Sequence, residues 1–283
     1  MKPQFQHELT TSFMLWADNF ICNKAEAFQN YVSPLYPMGT DDQLGAGFVT
    51  YSSPHKQWVF DDSVDGAQIP SGIYNNGTFM NRGDDGLIID FDDGRVILDA
   101  SFGDSNTTLS GEYSVKEFNW YITNQTEEQL IVDSKFDSNG RFKQELSGIA
   151  PHAQVVPAIF VNPEVVENEP FAFGGEDKTT TNIRCVVFAE NSYQLDGALS
   201  VFADSKNEVF GKLKYSDYPL TEYGDITGSF NYMQFVASEP RSLFHVEEVR
   251  VSKLSDRVSK NIDPSLFVGF VDFEITNLRF PRS

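Results

Sequence analysis

The sequence predicts an α+β protein, mostly antiparallel β. Three observations predict it. One stretch near the start, 5–28, repeats its apolar residues at helical spacing. Most of the remaining chain breaks into short β-branched and aromatic runs separated by Gly, Asn and Asp turns. A single strand-to-helix change of period, at 168–203, gives the second layer of a core.

The opening helix presents Leu9, Phe13, Trp16, Phe20 and Ala27 as one stripe, widened by Ala17 and Ile21. It reads as an amphipathic helix docked on the body, or as one lent to a neighbouring subunit. Pro34 and Pro37 are expected to end the helical region.

Residues 44–124 read as an all-β domain of sandwich or barrel type. Strands are expected at 47–51, 57–60, 72–74, 87–91, 95–102 and 113–123. Asp92-Asp93-Gly94 is the best hairpin turn, set between two runs of high β-propensity, and Asn75-Asn76-Gly77 is another.

Residues 125–283 read as an α+β domain. The run 127–136 is open between strand and short helix, and 137–140 is a turn. Pro157 interrupts a strand at 155–161, marking an edge or bulge, and 162–169 reads as an acidic loop. Residues 170–173 form a short strand, Gly174-Gly175 a reversal, and 179–188 a β-branched strand. Leu195, Ala198, Leu199 and Phe202 then face inward on a helix, with Ser192 as its cap and Asp196 in its first turn. Residues 212–228 read as a long loop, with strands at 229–236 and 244–253 and a central strand at 266–278. The proposed organisation is therefore 1–43, helix and linker; 44–124, all-β; 125–283, α+β.

The formal net charge of −20, from 41 acidic and 21 basic residues, opposes a grip on nucleic acid or an anionic membrane. It suits a surface past which DNA slides without sticking. No apolar run reaches the ~18 residues of a membrane span. No secretory signal is read, since Asp18 interrupts the apolar run between Phe13 and Cys22. The two cysteines, Cys22 and Cys185, read as small buried thiols.

No catalytic, cofactor-binding or metal-ligating residue is assigned. Asp84, Asp85, Asp90, Asp92 and Asp93 lack the offsets of a calcium loop and read as turn residues. Arg82-Gly83-Asp84 is too short to specify adhesion. His7, His55, His152 and His245 have no spaced partners, and neither HExxH nor G-x-S-x-G occurs. Glu247 and Glu248 adjoin on a strand, so they are expected on opposite faces, unlike a glycosidase pair. Trp58, Phe60, Trp120 and Tyr121 suit a core better than a sugar platform. The acceptor triplets at Asn76, Asn106 and Asn124 are set aside for want of a secretory signal.

Four stretches carry a resemblance: SFMLWADNF, PSGIYNNGTFMNRGDDGLIIDFDDGRVIL, PAIFVN with ENEPFAFGGEDKTTTNIRCVVFAE, and VGFVDFEITNLRFP. Together they resemble a family of virion structural proteins from tailed phages, especially marine and cyanobacterial ones, over nearly the full length. The helix, curved sheet and strand-to-helix unit are also similar to tail-terminator or neck proteins, which stack as rings between head and tail. The resemblance implies a non-enzymatic virion subunit without cofactors. Its partners would be copies of itself and neck, tail-tube or sheath proteins, with DNA passing unbound and no membrane. The alternative is a host-surface glycan-binding module built on 44–124, and a third reading is a glycan hydrolase.

Overall fold

The computed structural model describes residues 5–39, 47–102, 108–123, 125–131, 156–221, 223–238, 243–254 and 267–280. It is an α+β fold in which strands predominate, as the sequence predicts. The elements run α1 (Phe5–Ala25), β1 (Phe28–Gly39), β2 (Phe48–Ser52), β3 (Gly72–Asn75), β4 (Thr78–Asn81), β5 (Ile88–Asp90), β6 (Arg95–Asp99), β7 (Leu109–Lys116) and β8 (Asn119–Ile122). They continue α2 (Glu127–Ile131), β9 (Ala158–Ala172), β10 (Glu176–Ala189), α3 (Ser192–Ala203), β11 (Val209–Gly211), α4 (Tyr232–Ser238), β12 (Leu243–Lys253) and β13 (Phe267–Arg279).

Two compact units use segments distant in sequence. One comprises Met1–Ala25, Phe118–Asp217 and Met233–Ser283; the other comprises Glu26–Glu117 and Tyr218–Tyr232. The linear reading of 1–43, 44–124 and 125–283 describes the same chain in order of sequence.

The first unit is built on a six-stranded sheet in the order β11-β12-β13-β10-β9-β8, antiparallel except where β8 joins β9. β13 is central, as its apolar sequence leads one to expect, paired to β10 from Phe267 to Arg279. α1 is buried from Leu9 to Cys22 apart from Met14, well beyond the single stripe its spacing suggests. Phe13 touches the rings of Trp16, Trp120, Phe210 and Phe273, and Trp16 stacks on Phe210 at 5.2 Å. Ser12 shows how a polar residue fits there: its Oγ donates to the Glu8 carbonyl and accepts the Leu213 N–H at 2.8 Å. The helix thus serves the core of its own chain. α3 lays Leu195 and Leu199 on β13 at Gly269, where a Cβ would stand 2.9 Å from Leu195 Cδ1. Its cap is Asn191, not Ser192: the Asn191 side chain accepts the Gln194 N–H at 2.8 Å. Asp196 consequently falls in the second turn.

Four further expectations for this unit change. β9 runs unbroken through 162–169, because its pairing to β10 overrides the weak strand propensity of Pro and Glu. It begins one residue after Pro157. Residues 232–238 are helix, not strand: Asp61 Oδ1 accepts the Tyr232 N–H at 3.0 Å from 171 positions away. Residues 127–131 are helix; the rest of that run and the expected turn at 137–140 lie outside the described residues.

The second unit holds a seven-stranded sheet in the order β4-β3-β7-β1-β2-β6-β5. β1 replaces the expected linker. Its first half pairs with β7 and its second with β2. Each half has one strand partner among the described residues, so Pro34 and Pro37 sit where a missing N–H breaks no ladder. The Asn76-Gly77 turn joins β3 to β4 with both residues at positive φ, and Asp92-Asp93-Gly94 joins β5 to β6. Residues 57–60 form no ladder strand; Trp58 makes an isolated bridge to Val115. The expected strand at 95–102 stops at Asp99 and ends in a 3-10 turn, while 113–123 divides into β7 and β8. Residues 218–221 and 223–228 are largely loop, as expected, with a short bridge at Leu220–Ile226, while 229–231, read as the start of a strand, form only the isolated bridge Asp61–Phe230.

Candidate functional site

The six-stranded sheet has one covered and one open face. Burial alternates along its central strands. On β10, Asp177, Thr179, Thr181, Ile183 and Cys185 are buried while the residues between them are not. On β13, Val271, Phe273 and Ile275 are buried while Asp272 and Glu274 are partly exposed. The buried set faces the layer formed by α1 and α3. The other set is covered near one end by α2, where Leu130 and Ile131 join Phe160, Phe188 and Phe270 in an apolar cluster. Towards the β9–β10 turn it is open.

This open face is acidic. β9 contributes Glu164, Glu167 and Glu169, β12 contributes Glu247 and Glu248, and β13 contributes Asp272 and Glu274. Against these seven carboxylates stand Lys178, Arg184 and Arg250 among the described residues of the strands. Arg184 bridges the sheet: Nε donates to Glu127 and Nη1 to Asp272, each at 2.5 Å, while the guanidinium lies 4.7 Å from the Phe270 ring centre. Burial alone would lower its pKa, but hydrogen bonds to both carboxylates outweigh this and raise it. The Thr276 hydroxyl and then Lys178 hold Glu247 below its ordinary value, and Arg250 does the same for Glu248. These groups therefore stay charged near neutral pH. Glu164, Asn182, Glu248, Arg250, Asp272 and Glu274 rim a shallow cavity of about 220 Å³.

Glu247 and Glu248 were expected on opposite faces. A register shift between Val246 and Glu248 inserts an extra residue into β12. Glu247 therefore meets Thr276 and Lys178, on the face where Glu248 meets Arg250. The open face itself went unread in the sequence, although the alternation Val271-Asp272-Phe273-Glu274-Ile275 carries its signal.

Two apolar features lie at other places on this unit. At the β9–β10 turn Phe171 is exposed and Phe173 wholly so, beside Gly174 and Gly175 at positive φ. Between α3 and β12, Leu199, Ala203 and Val251 line a groove of about 380 Å³ with the Asp196–Lys253 ion pair at its rim.

The other candidates are scattered. Asp90 is fully buried in the β5–β6 hairpin, where Oδ1 accepts the Asp92 and Asp93 N–H groups and Oδ2 accepts Arg95 Nε at 3.0 Å. Asp84 accepts the Asn81 N–H in a local turn, while Arg82 donates to the Gly228 carbonyl from 146 positions away, so both charged residues of the Arg82-Gly83-Asp84 tripeptide have partners within the chain. His55 stacks on Tyr31, His245 lies at the β12–β13 pairing, His7 lies on α1, and His152 is outside the described residues. Among the described residues no three His, Cys, Asp or Glu side chains could hold a metal ion. Trp58, Phe60, Trp120 and Tyr121 are buried and pack on neighbouring rings. Both cysteines are buried, and burial pushes the Cys185 thiol far up. Asn76 Oδ1 accepts the Thr108 N–H; Asn106 and Asn124 lie outside the described residues. No described helix is long and apolar enough to cross a membrane. No family model, curated protein or solved structure matches this chain.

Proposed function

We propose that this chain is a non-enzymatic structural subunit of a tailed-phage virion, forming a ring in the head–tail connection, of neck or tail-terminator type, or in the tail. Its partners are copies of itself and adjoining neck, tail-tube or sheath proteins. The open acidic sheet face is the observation that carries the reading. A surface with seven carboxylates and three cations repels phosphates, and a ring that turned such a face inward would let DNA pass without adhering. The overall charge of −20 supports the same role. The four buried aromatic side chains favour this reading over a glycan platform in 44–124.

Gold-labelled antibody against the chain, applied to particles of the virus that encodes it, tests the assignment. Label at the head–tail joint or along the tail is expected. Particles that carry no label, with the chain left in the host lysate, would contradict it.

A further inference from the structure

We infer that the free edge of β12 in one copy pairs with the free edge of β9 in the next, joining the six-stranded sheets of successive copies into one closed barrel whose bore is lined by the acidic face. The inference rests on the ring reading above and names the contact that closes the ring. Both edges are only partly used within the chain. β8 covers β9 from Ala158 to Val161, and β11 covers β12 from Leu243 to His245, with Asn207 and Glu208 bonded to Val246 just beyond. Among the described residues no strand pairs with the outer side of 162–172 in β9 or of 247–253 in β12.

Single bonds fix which way the backbone groups point. The Leu254 N–H donates to the Val268 carbonyl, so residues 250 and 252 also bond towards β13, and Val249, Val251 and Lys253 turn their N–H and C=O groups outward. On β9, Val161 lies opposite buried Cys185 and turns its carbonyl out to the Thr123 N–H. Val166, Asn168 and Pro170 lie opposite buried Thr181, Thr179 and Asp177 and share that orientation. Such a row of backbone groups is a template for another strand. A second copy supplies both halves of the match. β9 and β12 run in opposite senses, so copies related by rotation meet antiparallel. Placing Asn168 opposite Val251 sets Val166 opposite Lys253 and Pro170 opposite Val249, a lap that lies clear of β8 and β11 and forms about five main-chain bonds.

The side chains agree with this register. On the open face Arg250 falls opposite Glu169, and Ser252 opposite Glu167. Arg250 gives Nε and Nη2 to Glu248, yet its side chain is 71% exposed and keeps donors for a second carboxylate. Main-chain bonds supply the affinity of such a contact and the charge pair its register. The stagger also closes a barrel. Asn168 is level with Thr179 and through it with Asn277, whereas Val251 is level with Val271. Each copy is therefore shifted along the strands by the six residues from Val271 to Asn277, about 20 Å. The repeat of β12, β13, β10 and β9 is about 19 Å wide. Together these give a strand tilt of about 45°, at the upper end of the range of closed barrels. The helices on the covered face then lie outside and the carboxylates inside.

The test uses the full chain, read by native mass spectrometry and negative-stain microscopy, with circular dichroism to check that each variant is folded. Val251→Pro removes an N–H that bonds to no strand of its own chain. Arg250→Glu and Glu169→Arg each place like charges across the lap, and the double variant restores the pair. A further arm joins Glu169→Cys with Arg250→Cys under oxidation; the buried native thiols should not compete. Expected are rings for wild type, assembly shifted to at least about tenfold higher concentration for Val251→Pro and for each charge reversal, recovery in the double reversal, and a ladder of cross-linked copies. Rings that survive Val251→Pro and both single reversals, with no cross-link, would overturn the edge pairing while leaving ring formation intact. Cross-linking that stops at dimers would overturn the head-to-tail arrangement. A wild-type chain that stays monomeric at every concentration would remove both the pairing and the ring.

Discussion

Replacing Phe13 by Ala should be among the most damaging single changes in the first unit. Phe13 is fully buried at the middle of α1 and touches four other rings, at centroid distances from 5.0 Å to Phe273 up to 6.2 Å to Phe210. A phenylalanine buries about 150–250 Å². At about 25 cal/mol per Å² its removal forfeits on the order of 4–6 kcal/mol before relaxation, less the small share that Ala retains. Trp16 and Trp120 are themselves locked by Phe210 and Phe202, so the hole cannot readily collapse. The expected loss is about 4 kcal/mol, within the usual range for Phe→Ala and a large fraction of a typical domain stability of about 5–15 kcal/mol. Urea unfolding followed by tryptophan fluorescence measures it, since two of the responding indoles border the cavity. Phe173→Ala, at an exposed turn, is the control and should change stability by less than about 0.5 kcal/mol. A loss below about 1 kcal/mol for Phe13→Ala would refute the placement of α1 in its own core and restore a helix lent to a neighbour.

Three other outcomes follow from particular contacts. Gly224→Ala should cost about 2 kcal/mol in thermal or urea unfolding, because Gly224 sits at φ +73 and a Cβ would fall 2.0 Å from Asp90 Oδ1; an unchanged midpoint would contradict that contact. Asp225 has its pKa raised, chiefly by burial and against the pull of Arg82, and its Oδ1 has no hydrogen-bond partner. With the folded pKa above the unfolded one, ionisation works against the fold as pH rises, and acidification through the folded pKa relieves it. Asp225→Asn should therefore stabilise the protein at neutral pH, with the gain vanishing at low pH; a gain that grows on acidification would reverse the argument. Cys22 and Cys185 should resist a thiol reagent in the native state and react on unfolding, since both are buried and burial disfavours the Cys185 thiolate; prompt labelling of the native chain would contradict this.

Much of the fold was legible because local pattern and final pairing agree. The Asn76-Gly77 and Asp92-Asp93-Gly94 turns, the helical spacing of Leu9, Phe13, Trp16 and Phe20, and the apolar run of β13 each carry their outcome locally. The misreadings lie where a distant partner decides. Glu164 to Glu169 would favour a loop alone but lie within a strand that makes twelve register pairs along β9 and β10. Asp61 accepts the N–H of Tyr232 at the start of α4, a signal that no window around Tyr232 contains. Pro34 and Pro37 suggest a break, yet β1 changes partner between them and accommodates both. The acidic face was hidden for a related reason. Its residues come from four segments, and they become one surface only when registers align Glu167 with Thr180 and Asp272 with Arg184.

The solution mass of the purified chain, read together with negative-stain images of the same sample, bears most directly on the role assigned here. A discrete multiple of the 31.8 kDa subunit, appearing as closed rings with a central opening, is the expected result. A single subunit at all concentrations, or open-ended aggregates without closure, would contradict it.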